Sequence, residues 1–235
     1  MRRYVHIGTG NYNAATAALY TDLGLFSGDD GLGADLNDLF NELSGSSGPP
    51  ESPFRRLLVA PTSLLPRFLE LIDRETQHAT TGRGGRMRVK INGLADAEII
   101  MALYRAAQAG VEIDLSVRGL CRLRPGVPGL SEGIRVISVM GRFLEHARIF
   151  HFANGGAPEY YIGSADWRPR NLRRRVEVVT PVQDAGARQR LDSILTMELA
   201  DPTAWELRPD GSYQRRQPGP GGESRSAQQQ MMEQV

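Results

Sequence analysis

Strand-like and helix-like patterns alternate from residue 57 to residue 199, and this alternation restricts the chain to a sheet with helices beside it. Short apolar runs predict the strands, helical spacing of apolar residues predicts the helices, and Gly110 stands where a helix-capping glycine belongs. The predicted strands cover 57–60, 87–91, 111–117, 134–139, 147–152, 160–163 and 176–180, and the predicted helices cover 64–79, 95–108 and 185–199. We therefore expect a mixed α/β domain over about residues 52–200.

A stretch rich in Ser, Gly and Pro at 44–50 follows a predicted helix at 35–43 and marks a domain boundary near residue 50. The chain has 235 residues, enough for one full domain and a remainder. Because a strand pattern begins already at Tyr4, we expect residues 1–50 to be the C-terminal remnant of a first domain and residues 51–205 to be a second, complete one. Residues 206–235 are poor in apolar side chains, which predicts a disordered tail.

The charges of the chain nearly cancel, with 28 Lys and Arg against 27 Asp and Glu. A net charge of +1 gives no general attraction to nucleic acid or to a membrane surface, so we expect no nucleic-acid partner. The single cysteine, Cys121, excludes an internal disulfide and disfavours a cysteine-built metal site. No apolar run approaches the ~18 residues of a membrane span, and no signal peptide is evident. These features favour a cytoplasmic protein without an integral membrane span.

One candidate site lies in the segment 143–152. Residues two apart on a strand share a face, so His146 and Arg148 point the same way and His151 points the other way. An imidazole exchanges a proton near neutral pH, and a guanidinium can hold two oxygens of a phosphoryl group. The pair therefore indicates a phosphate site, and an ordinary strand-end histidine is the alternative.

A second candidate follows the predicted strand at 160–163. Gly163 and Ser164 open a polar, arginine-rich turn, and such a turn offers backbone N–H groups and a hydroxyl to an anion. Ser164 is therefore a candidate phosphate contact, and a solvated basic turn is the alternative. The segment Gly8-Thr9-Gly10-Asn11 repeats this order of strand and turn, which is consistent with an internal duplication or with a simple glycine turn.

A third candidate is Arg118, which lies just past the carboxyl end of a predicted strand, where open α/β sheets usually bind ligands. Lys90 ends the neighbouring predicted strand and is a weaker candidate for a phosphate contact. Between residues 118 and 148, six arginines stand against two glutamates, so the local charge is positive although the whole chain is nearly neutral.

The other histidines have weaker claims to a catalytic role. His6 precedes a glycine turn and is not followed by a lysine two residues on, so we expect it to be structural. His78 falls on the polar side of a predicted helix and is expected to be inert. His151 faces away from His146 and is expected to be a packing or surface residue.

Six strings distributed along the chain are more specific than any of these sites alone. They are YVHIGTGNYN (4–13), YTD (20–22), VRG (117–119), LRPG (123–126), RFLEH (142–146) and GSADW (163–167). In this order they resemble the C-terminal catalytic region of bacterial polyphosphate kinases, an ATP-dependent family with phospholipase D-like catalytic domains. The resemblance extends from Tyr4 to about Pro181.

The resemblance implies a phospholipase D-like mixed β-sheet flanked by helices, preceded by the end of a first such domain. It implies reversible transfer of the terminal phosphate of ATP to inorganic polyphosphate through a phosphohistidine, with Mg²⁺ carried by the nucleotide. Tyr20, Arg118 and His146 match nucleotide-contacting positions of the family, and His146 matches its second catalytic histidine, which acts as acid or base. Arg118 and Arg148 would supply the positive charge that a loose phosphoryl transition state needs.

The chain departs from the family in one respect. The family carries its phosphorylated histidine in a His-x-Lys motif, and no such motif occurs in these 235 residues. We expect the nucleophile to lie outside this chain, so that the N-terminal half of the kinase or a homo-oligomer is a partner, and the complex could be peripheral to a membrane. Two alternatives stay open: an inactive fragment that binds nucleotide or polyphosphate, and a phospholipase D-like nuclease or lipid hydrolase, against which the lack of paired His-x-Lys motifs argues.

Overall fold

The computed structural model of the chain describes residues 3–46, 54–217 and 225–234. Its strands are β1 (Val5–Gly8), β2 (Tyr20–Thr21), β3 (Gly24–Ser27), β4 (Leu58–Ala60), β5 (Arg86–Ile91), β6 (Glu112–Val117), β7 (Ile134–Ser138), β8 (Leu144–Glu145), β9 (Ile149–Phe152), β10 (Glu159–Gly163), β11 (Glu177–Val182), β12 (Trp205–Leu207) and β13 (Tyr213–Arg215). Its helices are α1 (Ala14–Ala17), α2 (Asp30–Leu43), α3 (Leu64–Thr80), α4 (Ala97–Gln108), α5 (Pro169–Arg173), α6 (Ala185–Leu199) and α7 (Ala227–Met232), with a 3₁₀ turn at Asn154–Gly156.

Nine of these strands form one mixed sheet in the order β13-β12-β7-β6-β5-β9-β10-β11-β4. β5, β6 and β7 run parallel to one another, and the other neighbours pair antiparallel. The parallel pair β5 and β6 is joined by α4, as the alternating sequence pattern predicts. The predicted mixed β-sheet flanked by helices is therefore confirmed.

The sheet is buried on both faces because its strands carry apolar residues on both sides. On β9, Phe150 and Phe152 pack with the helices α3 and α4, whereas Ile149 packs with α6 on the opposite face. α3 contributes an apolar stripe with helical spacing, Leu64, Leu65, Phe68, Leu71 and Ile72, all buried. Each such side chain contributes roughly 1.5–3 kcal/mol on burial, so this layer fixes the strand ends that carry the polar residues described below.

Several contacts join residues 3–46 to this domain, among them a strand pairing and a buried carboxylate. β2 pairs in parallel with β8, with Tyr20 opposite Leu144 and Thr21 opposite Glu145. On α2, the fully buried Asp35 carboxylate accepts hydrogen bonds from the backbone N–H groups of Arg55, Arg56 and Leu57 at 2.9, 2.6 and 3.0 Å. Burial alone would raise the pKa of Asp35, but these donors outweigh it and hold the pKa below its ordinary value.

The connector at 44–50 lies partly outside the described residues, and the boundary near residue 50 stays a prediction. The start of α2 is earlier than the predicted residue 35, because Asp29 caps the helix by accepting from the N–H of Leu32 at 2.8 Å. The predicted strand at 147–152 begins only at Ile149.

The expectation of a disordered tail from residue 206 is wrong for the described residues beyond that point. β12 extends the sheet beside β7, β13 pairs with β12, and α7 buries Ala227 and Gln228. These elements are held mostly by backbone pairing and by polar side chains, which a count of apolar residues does not detect. None of the helices in the described ranges is both long and apolar enough to cross a membrane.

Candidate active site

His146 lies immediately after β8, beside the carboxylate of Asp22, which lies immediately after β2. The parallel register places Thr21 opposite Glu145, so the next residue of each strand also lies side by side. The Nδ1 atom of His146 is 3.0 Å from both carboxylate oxygens of Asp22. The His146 side chain is 14% exposed, which keeps the imidazole reachable from solvent.

Asp22 is in turn held by the Gly-Thr-Gly turn. The hydroxyl of Thr9 donates to Asp22 at 2.7 Å and accepts from the N–H of Leu23 at 2.9 Å. A Cβ atom on Gly10 would stand 2.2 Å from an Asp22 carboxylate oxygen, so only glycine allows this close approach. This turn, which repeats the order of strand and turn found at Gly163 and Ser164, therefore positions the carboxylate that contacts His146.

Arg148 is buried directly beside His146, two residues away as the sequence predicts, but most of its N–H groups already have partners. Its guanidinium forms a two-point ion pair with Asp166, both N···O distances being 3.2 Å. Its Nη1 atom donates to the carbonyls of Thr9 and His146 at 3.1 and 2.9 Å and lies 3.0 Å from Nε2 of His146. The expectation that Arg148 contacts phosphate is therefore corrected: the geometry makes it a residue that positions His146.

Asn92 connects the third candidate, Arg118, to the same site. Its side-chain oxygen accepts from Nε of Arg118 at 2.7 Å, and its side-chain nitrogen donates to the carbonyl of His146 at 2.9 Å. The backbone N–H of Asn92 donates to Asp166 at 2.7 Å. Arg118 is half-buried and, among the described residues, is paired with no carboxylate. It therefore adds an uncompensated positive charge to this edge of the sheet.

Tyr20 completes the site on the side of the N-terminal segment. Its ring centroid is 4.9 Å from that of His146, with the planes tilted by 47°. A surface cavity of about 320 Å³ adjoins Tyr20 and Asp22 and is lined also by Gly8, Gly10 and Asn11. We refer to His146, Asp22, Arg148 and Asp166 as the site cluster; Arg118 and Tyr20 flank it.

Two residues predicted to contact phosphate do not fit that role. The ammonium of Lys90 is 4% exposed and donates to Glu145 at 2.7 Å and to Glu198, so it is enclosed in the core. The hydroxyl of Ser164 donates to the carboxylate of Glu177, and its oxygen accepts from the N–H of Val178 at 3.3 Å. Both predictions are corrected because partners distant in the sequence already satisfy these groups.

Lys90, Glu145 and Glu198 form a second ionic group, which we call the core cluster together with Gln228. Burial opposes ionisation of Glu145, but Lys90 outweighs it and lowers the pKa of Glu145 to about 2. Burial, together with the negative charge of Glu145, raises the pKa of Glu198 to about 7 in spite of Lys90. One ammonium between two buried carboxylates leaves one negative charge in excess, which a proton on Glu198 removes.

Among the described residues, the side-chain hydrogen bonds of the other three histidines go to residues outside the site cluster, although His6 lines the same surface cavity as Tyr20 and Asp22. His151 is buried, with Nδ1 accepting from Nε of Arg88 at 3.4 Å; burial, followed by Arg88 and Arg86, lowers the pKa of His151 to about 4. His78 is also buried, contrary to its expected place on a polar face, and its Nε2 lies 3.3 Å from Asn154. His6 contacts the hydroxyl of Tyr12 at 2.8 Å.

The acidic residues of the site do not fit a magnesium site. Asp22 is bound to Thr9 and His146, and Asp166 is bound to Arg148 and Asn92, so both carboxylates already have partners. Within the described residues no group of three or more His, Cys, Asp or Glu side chains could hold a metal ion. The expectation of Mg²⁺ carried by the nucleotide stays a prediction that no residue of this site tests.

The sequence patterns did not predict that Asp22, Asn92 and Asp166 belong to the site. The signal for Asp22 was present in the YTD string, but its role depends on a strand pairing that joins residues 124 positions apart. Taken together, fold and site define a mixed α/β protein that places an imidazole and a guanidinium without a carboxylate partner, that of Arg118, at one edge of its sheet, an arrangement suited to phosphate-bearing ligands.

Comparison with known proteins assigns the chain to a family. Residues 57–228 match the family described as polyphosphate kinase C-terminal domain 2, and residues 1–49 match polyphosphate kinase C-terminal domain 1. The chain belongs to the polyphosphate kinase family, of which it represents a C-terminal region.

Individual relatives agree with this assignment. The chain is 57% identical over 233 residues to a polyphosphate kinase of Thermosynechococcus vestitus, covering 99% of this chain and 32% of the relative. The polyphosphate kinase of Streptomyces coelicolor is 53% identical over 216 residues, 92% of this chain and 29% of its own. The crystal structure of polyphosphate kinase from Porphyromonas gingivalis superposes with a TM-score of 0.92 at 37% identity, covering 99% of this chain and 36% of that one. The chain thus spans about a third of the length of these relatives.

Proposed function

We propose that this region takes part in reversible transfer of the terminal phosphate of ATP to and from inorganic polyphosphate, with His146 as the acid–base group. The observation that carries the proposal is the contact of His146 with Asp22 on one side and Arg148 on the other. The family membership supports the substrate class, and the uncompensated charge of Arg118 supports an anionic ligand at the same edge.

The residues of the site cluster explain how His146 could act. A carboxylate at Nδ1 favours the tautomer that carries its proton there, so Nε2 is left to exchange a proton with a phosphate oxygen. In the forward direction, the doubly protonated ring keeps Nδ1–H on Asp22 and donates its Nε2 proton to the β-phosphate oxygen of ATP. The bond from that oxygen to the γ-phosphorus breaks as a bond from the γ-phosphorus to the nucleophilic histidine outside this chain forms. In reverse, Nε2 takes that proton back. Arg148 and Asn92 hold the backbone carbonyl of His146, which limits movement of the ring.

Binding of the nucleotide is assigned to the residues that flank the cluster. Tyr20 lines the cavity beside His146 and offers an aromatic face for the base. Arg118 offers the guanidinium nitrogens that do not bond Asn92 to the phosphate oxygens. The transition state of phosphoryl transfer is stabilised mainly by positioning and positive charge, which this edge supplies.

The proposal places the phosphohistidine outside this chain. The nucleophile would come from the N-terminal half of a kinase, either as a separate chain or within a longer kinase subunit that assembles with this one, with Mg²⁺ bound to the nucleotide phosphates, in a cytoplasmic complex that can be peripheral to a membrane. The proposal is supported by the absence of His-x-Lys from the sequence and by the partial coverage of the relatives.

The test is a transfer assay with γ-labelled ATP and Mg²⁺, run on the chain alone and mixed with a separately produced N-terminal half of the kinase. We expect label in acid-insoluble polymer only from the mixture, and loss of transfer when the chain carries His146→Ala. His78→Gln is the matched control, because His78 contacts Asn154 and not the site cluster.

Two results would redirect the proposal. Nucleotide binding without transfer in any mixture would identify an inactive binding fragment. Transfer that survives His146→Ala would remove His146 from the acid–base role while leaving the family unchanged.

A further inference from the structure

A helix from the far end of the chain is docked against the segment that carries His146. In α7, Ala227 is fully buried and its backbone N–H donates to the buried carboxylate of Asp201 at 2.8 Å. Ser226 and Gln229 cap the start of the helix reciprocally, each side chain bonding the other's backbone N–H. The helix has six residues, but these contacts fix it on the domain.

Gln228 connects α7 to the residues that precede His146. Its side chain is buried, its oxygen accepts from the N–H of Phe143 at 3.0 Å, and its nitrogen donates to the carbonyl of Phe143 at 2.8 Å. The same nitrogen donates to the carboxylate of Glu145 at 2.6 Å. Both amide protons and the amide oxygen are thus used on two residues that lie one and three positions before His146.

Gly141 leaves the space that this amide occupies. A Cβ atom at Gly141 would stand 2.3 Å from the side-chain oxygen of Gln228 and 2.7 Å from its Cδ. The far end of a glutamine normally moves aside at little cost, but this one is fixed by three hydrogen bonds. A methyl group at 141 therefore displaces the amide from its partners.

The contact continues from Glu145 to His146 through Thr21. The second carboxylate oxygen of Glu145 accepts from the hydroxyl of Thr21 at 2.8 Å. The carbonyl of Thr21 accepts from the N–H groups of His146 and Ala147 at 3.2 and 2.9 Å. Gln228 thereby fixes Glu145 from one side while β2 fixes it from the other, and the backbone of His146 depends on both.

We propose that α7 anchors residues 143–146 to the domain, a role that we call the clasp, and that Gln228 is a positioning residue for His146. The role of Gln228 in catalysis rests on the function proposed above. Its role in holding residues 143–146 in place does not. In the absence of the Gln228 contacts, the segment 143–146 keeps its pairing with β2 and the ion pair of Glu145 with Lys90 but loses its hydrogen bonds to α7, so the imidazole is held less firmly beside Asp22.

The test on the chain itself is NMR of the His146 ring together with amide hydrogen exchange over residues 143–147. For Gln228→Ala we expect about tenfold faster exchange in this segment and a changed His146 titration midpoint, since local opening becomes easier when its hydrogen bonds are removed. Gln230→Ala is the matched control, because among the described residues that side chain bonds the carbonyl of Arg225 within its own segment and not residues 143–146, and we expect it to match the wild type.

Gly141→Ala tests the same contact from the opposite side and keeps the proposal falsifiable if Gln228→Ala does not fold. We expect it to reproduce the effect of Gln228→Ala, and the double variant to be no worse than Gln228→Ala alone, because the methyl group then meets no amide. Exchange and titration curves of both single variants that superimpose on the wild type would overturn the proposal.

The transfer assay separates this proposal from the proposed function. If the mixture with the N-terminal half transfers phosphate, Gln228→Ala should lower kcat about tenfold with little change in KM for ATP, because a small misplacement of a catalytic group acts on kcat. If the wild-type mixture does not transfer, a changed exchange rate and titration still support the clasp while the proposed function fails. Active transfer with an unchanged kcat and an unchanged titration in Gln228→Ala refutes the clasp.

Discussion

Two neighbouring residues, Glu145 and His146, belong to two ionic groups with opposite properties. His146 belongs to the site cluster, where Asp22 and Arg148 contact the ring and the side chain is 14% exposed. Glu145 belongs to the core cluster, where Lys90, Thr21 and Gln228 enclose a side chain that is 4% exposed. The alternation of side chains on an extended segment is what sends consecutive residues to different places.

The two groups also differ in how they balance charge. In the site cluster, Arg148 is neutralised by Asp166, and the flanking Arg118, which is half-buried, keeps a positive charge with no carboxylate partner among the described residues. In the core cluster, one lysine stands between two carboxylates, and the excess is removed by a proton on Glu198. An unpaired charge that water reaches, such as that of Arg118, therefore indicates a ligand site. An unpaired charge that is buried, such as the second carboxylate of the core cluster, instead shifts the pKa of the group that carries it.

The largest effect is expected from removing the internal partner of Arg148. Asp166→Ala leaves a buried guanidinium without its carboxylate, which should lower the free energy of unfolding by about 3–5 kcal/mol. Urea unfolding monitored by circular dichroism measures this. A loss below about 1 kcal/mol would show that water or another group compensates Arg148, and the comparison between the two clusters would fail.

The core cluster should give the chain a pH dependence with a defined sign. Because the pKa of Glu198 is raised from 4.5 to about 7, the folded protein binds a proton between these values that the unfolded chain releases. This stabilisation is complete below pH 4.5 and is lost as pH rises through 7, and at ~1.4 kcal/mol per pKa unit it amounts to about 3 kcal/mol. Unfolding curves of wild type and Glu198→Gln between pH 5 and 8 should converge at the acid end and separate at the alkaline end, with wild type the less stable.

If the free energies of unfolding of wild type and Glu198→Gln ran parallel between pH 5 and 8, they would contradict the raised pKa of Glu198. The lowered pKa of His151 acts in the opposite direction, since its contribution is lost as pH falls from 6.5 through 4, but it is common to both proteins and cancels in the difference.

Asp22→Asn should separate the two groups by function. The amide keeps the shape of the carboxylate but removes the charge that orients Nδ1 of His146, so transfer in the reconstituted mixture should fall about 50-fold, a loss of about 2 kcal/mol of transition-state stabilisation. Unfolding in urea should change little, because Asp22 is partly exposed. An unchanged rate in Asp22→Asn would mean that Asp22 does not orient the ring.

The smallest effect is expected from replacing Arg118. The substitution removes one charge-assisted contact with the ligand, and within the protein it breaks the hydrogen bond to Asn92. Arg118→Gln should weaken binding of ATP about tenfold in calorimetric titration, about 1.4 kcal/mol. Arg83→Gln is the matched control, since Arg83 is exposed and, among the described residues, its side chain bonds the Thr81 hydroxyl at a loop. Equal affinities for both variants would remove Arg118 from the ligand site.

Local patterns predicted much of the fold. The helix at 185–199 and the parallel pair β5 and β6 agree with the sequence, because apolar periodicity and a helix between two strands are properties of neighbouring residues. The proximity of His146 and Arg148 was also predictable, since it depends on residues two apart.

The contacts that the sequence did not predict are those that join distant segments. Asp22 reaches His146 through a pairing of two-residue strands, which leaves no periodic signal. Lys90, the single lysine of the chain, ends a strand as an exposed ligand residue would, and only its partners Glu145 and Glu198, 55 and 108 residues further on, reveal a buried role. In the same way, α7 is bound by polar groups in a segment whose composition indicates disorder.

The most direct test of this division between a site cluster and a core cluster measures transfer and unfolding together in two variants. In the mixture with the N-terminal half, His146→Ala should lose transfer at least about 100-fold while its unfolding curve stays close to that of the wild type. Glu198→Gln, assayed at pH 6, should keep the wild-type rate and alter only the pH dependence of unfolding. Transfer retained by His146→Ala, or lost by a well-folded Glu198→Gln, would contradict the account.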